Sequence, residues 1–182
     1  MKFSCNLLFI YILIGRQKQV SKIRSLTLDK WSSVRLELIR SVGNTAFNTI
    51  WEANTKKASN ISRPGSECTR SEAELWIKAK YIDKEFIRWD RYSFKNQEER
   101  DQALIDSAGN TDVCEVLALI AHGARVHQTP AALNRATAAA SVAQDDNDLT
   151  FAVIAEVLVQ NGCPGGHETS NMANSNNSTD RS

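Results

Sequence analysis

The segment SVGNTAFNTIWEAN, residues 41–54, decides the fold of the first half of this 182-residue chain. Gly43 interrupts a helical pattern, and glycine is the residue that most often ends a helix in the left-handed conformation. Asn44 follows it directly and is a favoured N-cap residue. Phe47, Ile50 and Trp51 then recur at the i, i+3, i+4 spacing of a helix with one apolar face. The segment therefore predicts two consecutive helices that meet at Gly43.

The residues ahead of Gly43 predict the first of these helices. Asp29 can cap its N-terminus. Apolar side chains then recur on one helical face, at Trp31, Val34, Leu38, Ile39 and Val42. Further upstream, residues 23–28 alternate loosely and include β-branched side chains, so they predict a short strand.

The residues after this segment predict a loop and a further helix. Residues 55–70 are polar and contain a Pro-Gly pair, which indicates a loop. The next helix can begin with either of two capping boxes, Thr69 with Glu72 or Ser71 with Glu74. Four apolar residues are predicted to share its buried face: Leu75, Ala79, Ile82 and Phe86.

The second half of the chain predicts paired helices with similar ends. Residues 101–108 indicate a short helix, and residues 113–121 a second one that ends at His122 and Gly123. Residues 154–158 indicate a helix that ends at Asn161 and Gly162, and the alanine-rich segment between the two is helix-prone. The two end glycines are 39 residues apart, slightly more than the roughly 33 residues of an ankyrin repeat.

Composition excludes several classes of protein. The net charge is only +1, with 22 basic and 21 acidic residues, so no overall field favours nucleic acid. The cysteines are far apart and form no CxxC pair, which predicts reduced thiols and no zinc knuckle. An alternative is a metal site made of the cysteines and two histidines, His122 and His127. These histidines are i, i+5 across a helix end, which makes them a poor ligand pair. The cysteines are Cys5, Cys68, Cys114 and Cys163.

An uninterrupted apolar run begins at Leu7 and ends at Ile14. It is shorter than the roughly 20 residues that span a bilayer. Its length suits a signal peptide, but a basic segment follows it without a small-residue cleavage site. We therefore expect a cytoplasmic protein, with secretion through Leu7 to Ile14 as the alternative.

Three segments in this order and spacing resemble the Arf GTPase-activating protein domain, in the type that also carries a coiled coil, a PH domain and ankyrin repeats. They are SKIRSLTLDKW (21–31), SVGNTAFNTIWEAN (41–54) and RPGSECTRSEAELWIKAKYIDKEF (63–86), with the words LTLD, GN and AKY. Downstream, DSAGNTDVCEVLALIAHGARV (106–126) resembles a first ankyrin repeat, and residues 137–162 resemble a longer, degenerate second one.

The resemblance implies a mainly α fold, in which the C-terminal part of an ArfGAP domain precedes degenerate ankyrin-type helix pairs. The expected organisation is an atypical apolar N-terminus over 1–20 in place of the zinc finger, a partial ArfGAP domain over 21–92, an ankyrin-repeat region over 98–163 and a disordered tail over 164–182. Because the finger forms the other half of the domain core, its replacement is expected to leave Trp31 and Leu38 more exposed than in an intact domain.

Departures from the family pattern lead to expectations about activity. The family has a CxxC…CxxC zinc finger and then an arginine that enters the GTPase site. Counting back from Ser21 places Ile14 at that arginine's position, with Arg16 two residues away. Cys5 alone cannot hold tetrahedral zinc. We therefore expect no bound cofactor, no catalytic residue and no enzymatic chemistry, so that the chain as written would be an inactive fragment of a GTPase regulator.

The resemblance also implies partners. An Arf-type small GTPase is expected to contact Arg24, Asp29 and Trp31, and protein partners to use the ankyrin surface. The family acts in membrane trafficking, and its members lie at endosomal or plasma membranes; membrane binding is expected only through a PH domain absent from this sequence. The alternative interpretation is a non-catalytic ankyrin-type protein-interaction module.

Overall fold

The computed structural model describes residues 31–57, 61–143 and 149–165. These ranges contain α1 (Ser33–Trp51), α2 (Arg70–Ile77), α3 (Gln97–Ser107), α4 (Val113–Ala121), α5 (Pro130–Val142) and α6 (Thr150–Gln160), and no strand. The mainly α fold is therefore confirmed. The strand predicted over residues 23–28 and all but the first two residues of the predicted tail lie outside the described residues.

Helix α1 consists of two helical segments that meet at a kink. Gly43 has φ 58° and ψ 171°, a left-handed backbone conformation that glycine takes at little steric cost. The predicted break at Gly43 is confirmed. The observed N-cap is Ser32, whose side chain accepts a hydrogen bond from the backbone N–H of Arg35. The predicted cap Asp29 lies outside the described residues.

Helix α2 begins with the first of the two predicted capping boxes. The Thr69 hydroxyl accepts from the backbone N–H of Glu72 at 3.3 Å, and the Glu72 carboxylate accepts from the backbone N–H of Thr69 at 2.7 Å. These two bonds satisfy two of the N–H groups that a helix start leaves without partners.

The buried face predicted for α2 is wrong at two of its four positions. Leu75 is 57% exposed and Ile82 is 55% exposed, whereas Trp76, Ala79 and Phe86 pack together in a small core. At Leu75 the neighbouring Trp76 is buried instead. Ile82 is the last residue of a π-helical turn, Lys78–Ile82, that directly follows α2. The i→i+5 hydrogen bonds of this segment add a residue to the turn, so a 3.6-residue period does not carry through it.

Helices α3 to α6 form two pairs. Helix α3 packs against α4, α5 packs against α6, and further contacts join α3 to α5 and α4 to α6. The predicted helix ends at Gly123 and Gly162 are confirmed, with φ of +94° and +89°. Helix pairs of this kind are compatible with ankyrin-type repeats, which stay a prediction.

The first half of the chain packs directly on the second half. Helix α1 contacts both α4 and α6, and the Arg35 Nε donates to the Glu156 carboxylate at 2.7 Å. Leu38 is 4% exposed and lies in the same core as Val116 and Ile154. Leu38 is thus buried here, because helices of the second half contribute to the core around it; its exposure relative to an intact domain stays a prediction.

Candidate functional site

The described residues include one of the predicted GTPase-contact residues, Trp31. Trp31 is the first described residue, is half-buried and stands just ahead of α1. Arg24, Asp29 and Ile14 lie outside the described residues. The structure therefore does not test whether these residues come together.

The AKY word forms the centre of the first half. Lys80 is 5% exposed, and its Nζ donates to the Glu52 carboxylate at 2.6 Å and to the Asn48 amide oxygen at 2.8 Å. The ammonium also lies 5.7 Å from the Phe47 ring centroid and 5.0 Å from that of Tyr81. The AKY word lies in the π-helical turn, and its lysine is hydrogen-bonded to the part of α1 that follows the kink at Gly43.

Burial sets the electrostatics of this centre. It lowers the pKa of the Lys80 ammonium, while the hydrogen bond and charge of Glu52 act in the opposite direction. Burial, together with the negative charge of Glu52, raises the pKa of the Tyr81 hydroxyl. Tyr81 packs edge-on against Trp51, whose ring stacks on Phe47. The AKY word therefore acts in packing.

A second lysine joins this centre to α4. Lys84 has φ 53°, an uncommon conformation for a residue with a side chain. Its Nζ donates to the carbonyl oxygen of Ala121 at 2.7 Å, where α4 ends. Burial lowers the pKa of the Lys84 ammonium to about 8, and the charge of Arg100 contributes.

His122 is a structural residue at the same helix end. It is 4% exposed, with Nδ1 2.6 Å from the carbonyl oxygen of Ala118 and Nε2 2.9 Å from that of Arg88. Its ring meets Trp89 and Tyr92 edge-on. Because both ring nitrogens face carbonyl oxygens, His122 does not fit a role as a metal ligand.

The zinc finger that the family resemblance implies falls on residues 1–20, outside the described residues. Within residues 31–57, 61–143 and 149–165, no three histidine, cysteine or acidic side chains form a group that could hold a metal ion. In the same ranges Cys68 and Cys114 are half-buried, and Cys163 is buried with its thiol 3.6 Å from the carbonyl oxygen of Thr129.

A long polar cleft follows the part of α1 after the kink. It consists of two cavities of about 1030 and 430 Å³ that share Thr49, Ala53 and Arg88. Arg63 lines the larger cavity and Arg91 the smaller one. We name this cleft the arginine groove. Sequence reasoning missed it, because Arg63 comes from one short polar segment and Arg88 and Arg91 from another.

Comparison with known families identifies the class of the first half. The ArfGap family, described as a GTPase activating protein for Arf, matches residues 12–90. This region contains the GN and AKY words and begins ahead of Ser21. The resemblance to the Arf GTPase-activating domain is therefore confirmed over this part of the chain.

Three similar proteins are named as Arf-GAPs with coiled-coil, ANK repeat and PH domains. The chain is 44% identical over 68 residues to human Arf-GAP with coiled-coil, ANK repeat and PH domain-containing protein 3, an alignment that covers 37% of this chain and 8% of that protein. It is 35% identical over 116 residues to mouse protein 2 of the same series, which covers 63% of this chain and 14% of that protein. The chicken protein 2 is 42% identical over 67 residues, 37% of this chain and 8% of that relative. The chain thus spans a small fraction of these relatives' length.

The family match corrects one expectation. We expected a regulator without enzymatic chemistry, and this is wrong, because the family matched over residues 12–90 is one of GTPase-activating proteins, which stimulate GTP hydrolysis. Among the described residues, no helix is both long enough and apolar enough to cross a membrane.

Proposed function

We propose that this chain contributes to GTP hydrolysis on an Arf-type small GTPase at trafficking membranes. The observation that carries the proposal is the ArfGap match over residues 12–90, which includes the packed centre around Lys80. In this proposal the region around residues 21–31 contacts the GTPase through Arg24, Asp29 and Trp31. The Lys80–Glu52 pair supports that surface by fixing the part of α1 behind the kink.

The acceleration itself requires a cation at the phosphates. An arginine inserted into a GTPase site is worth about 10³–10⁵ in rate, because it stabilises the charge that develops during phosphoryl transfer. Ile14 stands at the position implied for that arginine and carries no charge. We propose that the chain as given binds the GTPase without accelerating hydrolysis. Acceleration requires a zinc finger with its arginine ahead of Ser21.

Single-turnover GTP hydrolysis on Arf tests this proposal. Three proteins are compared: the chain as given, its Ile14→Arg variant, and a chimera in which the zinc finger of a matched relative replaces residues 1–20. We expect stimulation by the chimera alone, since misplacing a catalytic group by about 1 Å can cost 10²-fold. Stimulation by the chain as given would show that Arg16 or another residue supplies the cation. A chimera without stimulation would overturn the proposal.

A second candidate function rests on helices α3 to α6. Their pairing and stacking over residues 98–163 support a protein-interaction module of ankyrin type, and the 116-residue mouse alignment is longer than the region that the family model matches. The hydrolysis assay separates the two functions. An interaction module alone predicts that the chimera gives no rate increase.

A further inference from the structure

The arginine groove has more positive than negative charge available to a ligand. Asp90 and Glu52 line it. Arg91 pairs with Glu115 at 2.7 Å, and the Lys80 ammonium neutralises the Glu52 carboxylate at 2.6 Å. Arg63 lies 3.6 Å from the same carboxylate with a side chain that is 66% exposed. Arg88 is 60% exposed and reaches Asp90 at 3.3 Å. Ion pairs this long and exposed contribute little to stability. Both guanidinium groups can therefore donate to a carboxylate of a ligand at shorter distance.

Neutral hydrogen-bonding groups line the cleft beside these arginines. The Lys80 ammonium can only donate, so the Asn48 atom that faces it at 2.8 Å is the amide oxygen. The Asn48 amide N–H groups therefore stay available as donors. Other amide and hydroxyl groups line the same cavity: Asn44, Thr45, Thr55 and Ser62. Such groups can bond the backbone carbonyls of an extended chain.

An exposed aromatic ring lies beside a residue that lines the smaller cavity. Trp89 follows Arg88 directly and is 49% exposed. Its ring meets the ring of His122, a residue that lines the smaller cavity, at a centroid distance of 5.7 Å. Tryptophan and arginine are the residues most often found at the energetic centres of protein interfaces.

We propose that the arginine groove binds an extended acidic segment of a partner protein. Its carboxylates pair with Arg63 and Arg88, as basic clusters recognise acidic motifs, and an apolar side chain packs on Trp89. The two cavities share lining residues and so continue into each other, and a cleft of this kind with neutral donors beside its arginines fits an extended chain. A compact phosphorylated headgroup would require cations that converge on one point. The proposal goes beyond the GTPase function and does not depend on it.

The test measures binding of labelled peptides to the 182-residue chain by fluorescence polarisation. The probe is a peptide of about 12 residues with several glutamates and one phenylalanine in a glycine-serine background, and its counterpart has lysines in place of the glutamates. We expect the acidic peptide to bind and the basic one not to. The Arg63→Glu/Arg88→Glu variant should bind the acidic peptide at least tenfold more weakly. In NMR spectra, the acidic peptide should shift the indole N–H signal that Trp89→Phe removes.

A charge-matched control excludes nonspecific attraction. The Arg40→Glu/Arg70→Glu variant makes the same charge change at side chains that are 81% and 87% exposed and do not line the groove. Far-UV circular dichroism verifies that both variants fold. The proposal is overturned if the control variant loses as much affinity as the groove variant, or if the acidic peptide binds no tighter than the basic one. Binding to vesicles with phosphatidylinositol bisphosphate, without binding to the peptide, would also overturn it.

Discussion

Lys84 donates a hydrogen bond from its ammonium group to the carbonyl oxygen of Ala121 at 2.7 Å, and so joins the first half of the chain to the end of α4. A helix C-terminus carries unpaired carbonyl oxygens and partial negative charge, which favours a cation there. The same ammonium is largely buried, and burial is the main reason that its pKa falls to about 8. The contact therefore holds the segment after the π-helical turn against the end of α4, and burying the ammonium group costs desolvation free energy.

Lys84 makes stability depend on pH. Its pKa falls from 10.5 in an ordinary environment to about 8 in the folded chain, so the unfolded chain binds the proton more tightly. Stability from this residue should therefore rise as the pH increases from about 8 towards 10.5. Between pH 7 and 9.5 the wild type should gain on the order of 1–2 kcal/mol in free energy of unfolding relative to Lys84→Met. Urea unfolding at both pH values measures it, with Lys95→Met as the exposed control. Equal pH slopes for wild type and Lys84→Met would contradict this account.

The buried pair of Lys80 and Glu52 should respond differently to single and double substitution. Lys80→Met leaves the Glu52 carboxylate, which is 9% exposed, without its nearest cation. Removing one partner of a buried pair typically costs about 3–5 kcal/mol, whereas replacing both by apolar residues costs much less. Chemical denaturation of Lys80→Met and of Lys80→Met/Glu52→Leu tests this difference. A double variant as unstable as the single one would show that the stacked rings, not the charges, dominate this centre.

Gly43 should be needed for its backbone conformation alone. A Cβ atom at Gly43 would have no atom within 4 Å, so an alanine there fits sterically but is strained by the φ of +58°. We expect Gly43→Ala to cost about 1–2 kcal/mol. Gly65→Ala is the matched control, because its Cβ also meets open space and its φ is not in the left-handed region. Thermal unfolding of both variants measures the difference, and equal midpoints would be inconsistent with strain at Gly43.

Two leucines on α1 provide a test of the contact between the halves. Leu38 is 4% exposed in the shared core, and Leu36 is 52% exposed. Leu38→Ala should cost about 2–5 kcal/mol and should also lower amide protection in α4 and α6, which α1 contacts. Leu36→Ala should change neither quantity appreciably. Hydrogen exchange read out by NMR or mass spectrometry checks this, and a loss of protection confined to residues 31–57 would contradict a shared core.

Local signals in the sequence predicted the helix ends correctly. Gly43, Gly123 and Gly162 each take the left-handed conformation that marks a helix end or kink. The Thr69 capping box was readable for the same reason, since its two hydrogen bonds join residues three apart. These features depend on neighbouring residues only.

Features that depend on distant residues escaped sequence reasoning. The periodic pattern assigned Leu75 to the buried face, but Trp76 is buried instead, with its ring packed on that of Phe86. The burial of Lys80 depends on Glu52 and Asn48, which are 28 and 32 residues away. The arginine groove likewise combines α1 with two other segments. None of these arrangements has a short-range signature.

The packing of α1 on α4 and α6 has a consequence for dissecting the protein. The sequence draws a boundary between residues 92 and 98, and the family match ends at residue 90. Cutting the polypeptide there would expose Leu38 and Val42 to solvent. It would also separate Arg35 from its ion-pair partner Glu156. Either piece alone would expose a contiguous apolar surface of the kind that promotes aggregation. The smallest portion suitable for recombinant expression therefore has to run from α1 through α6.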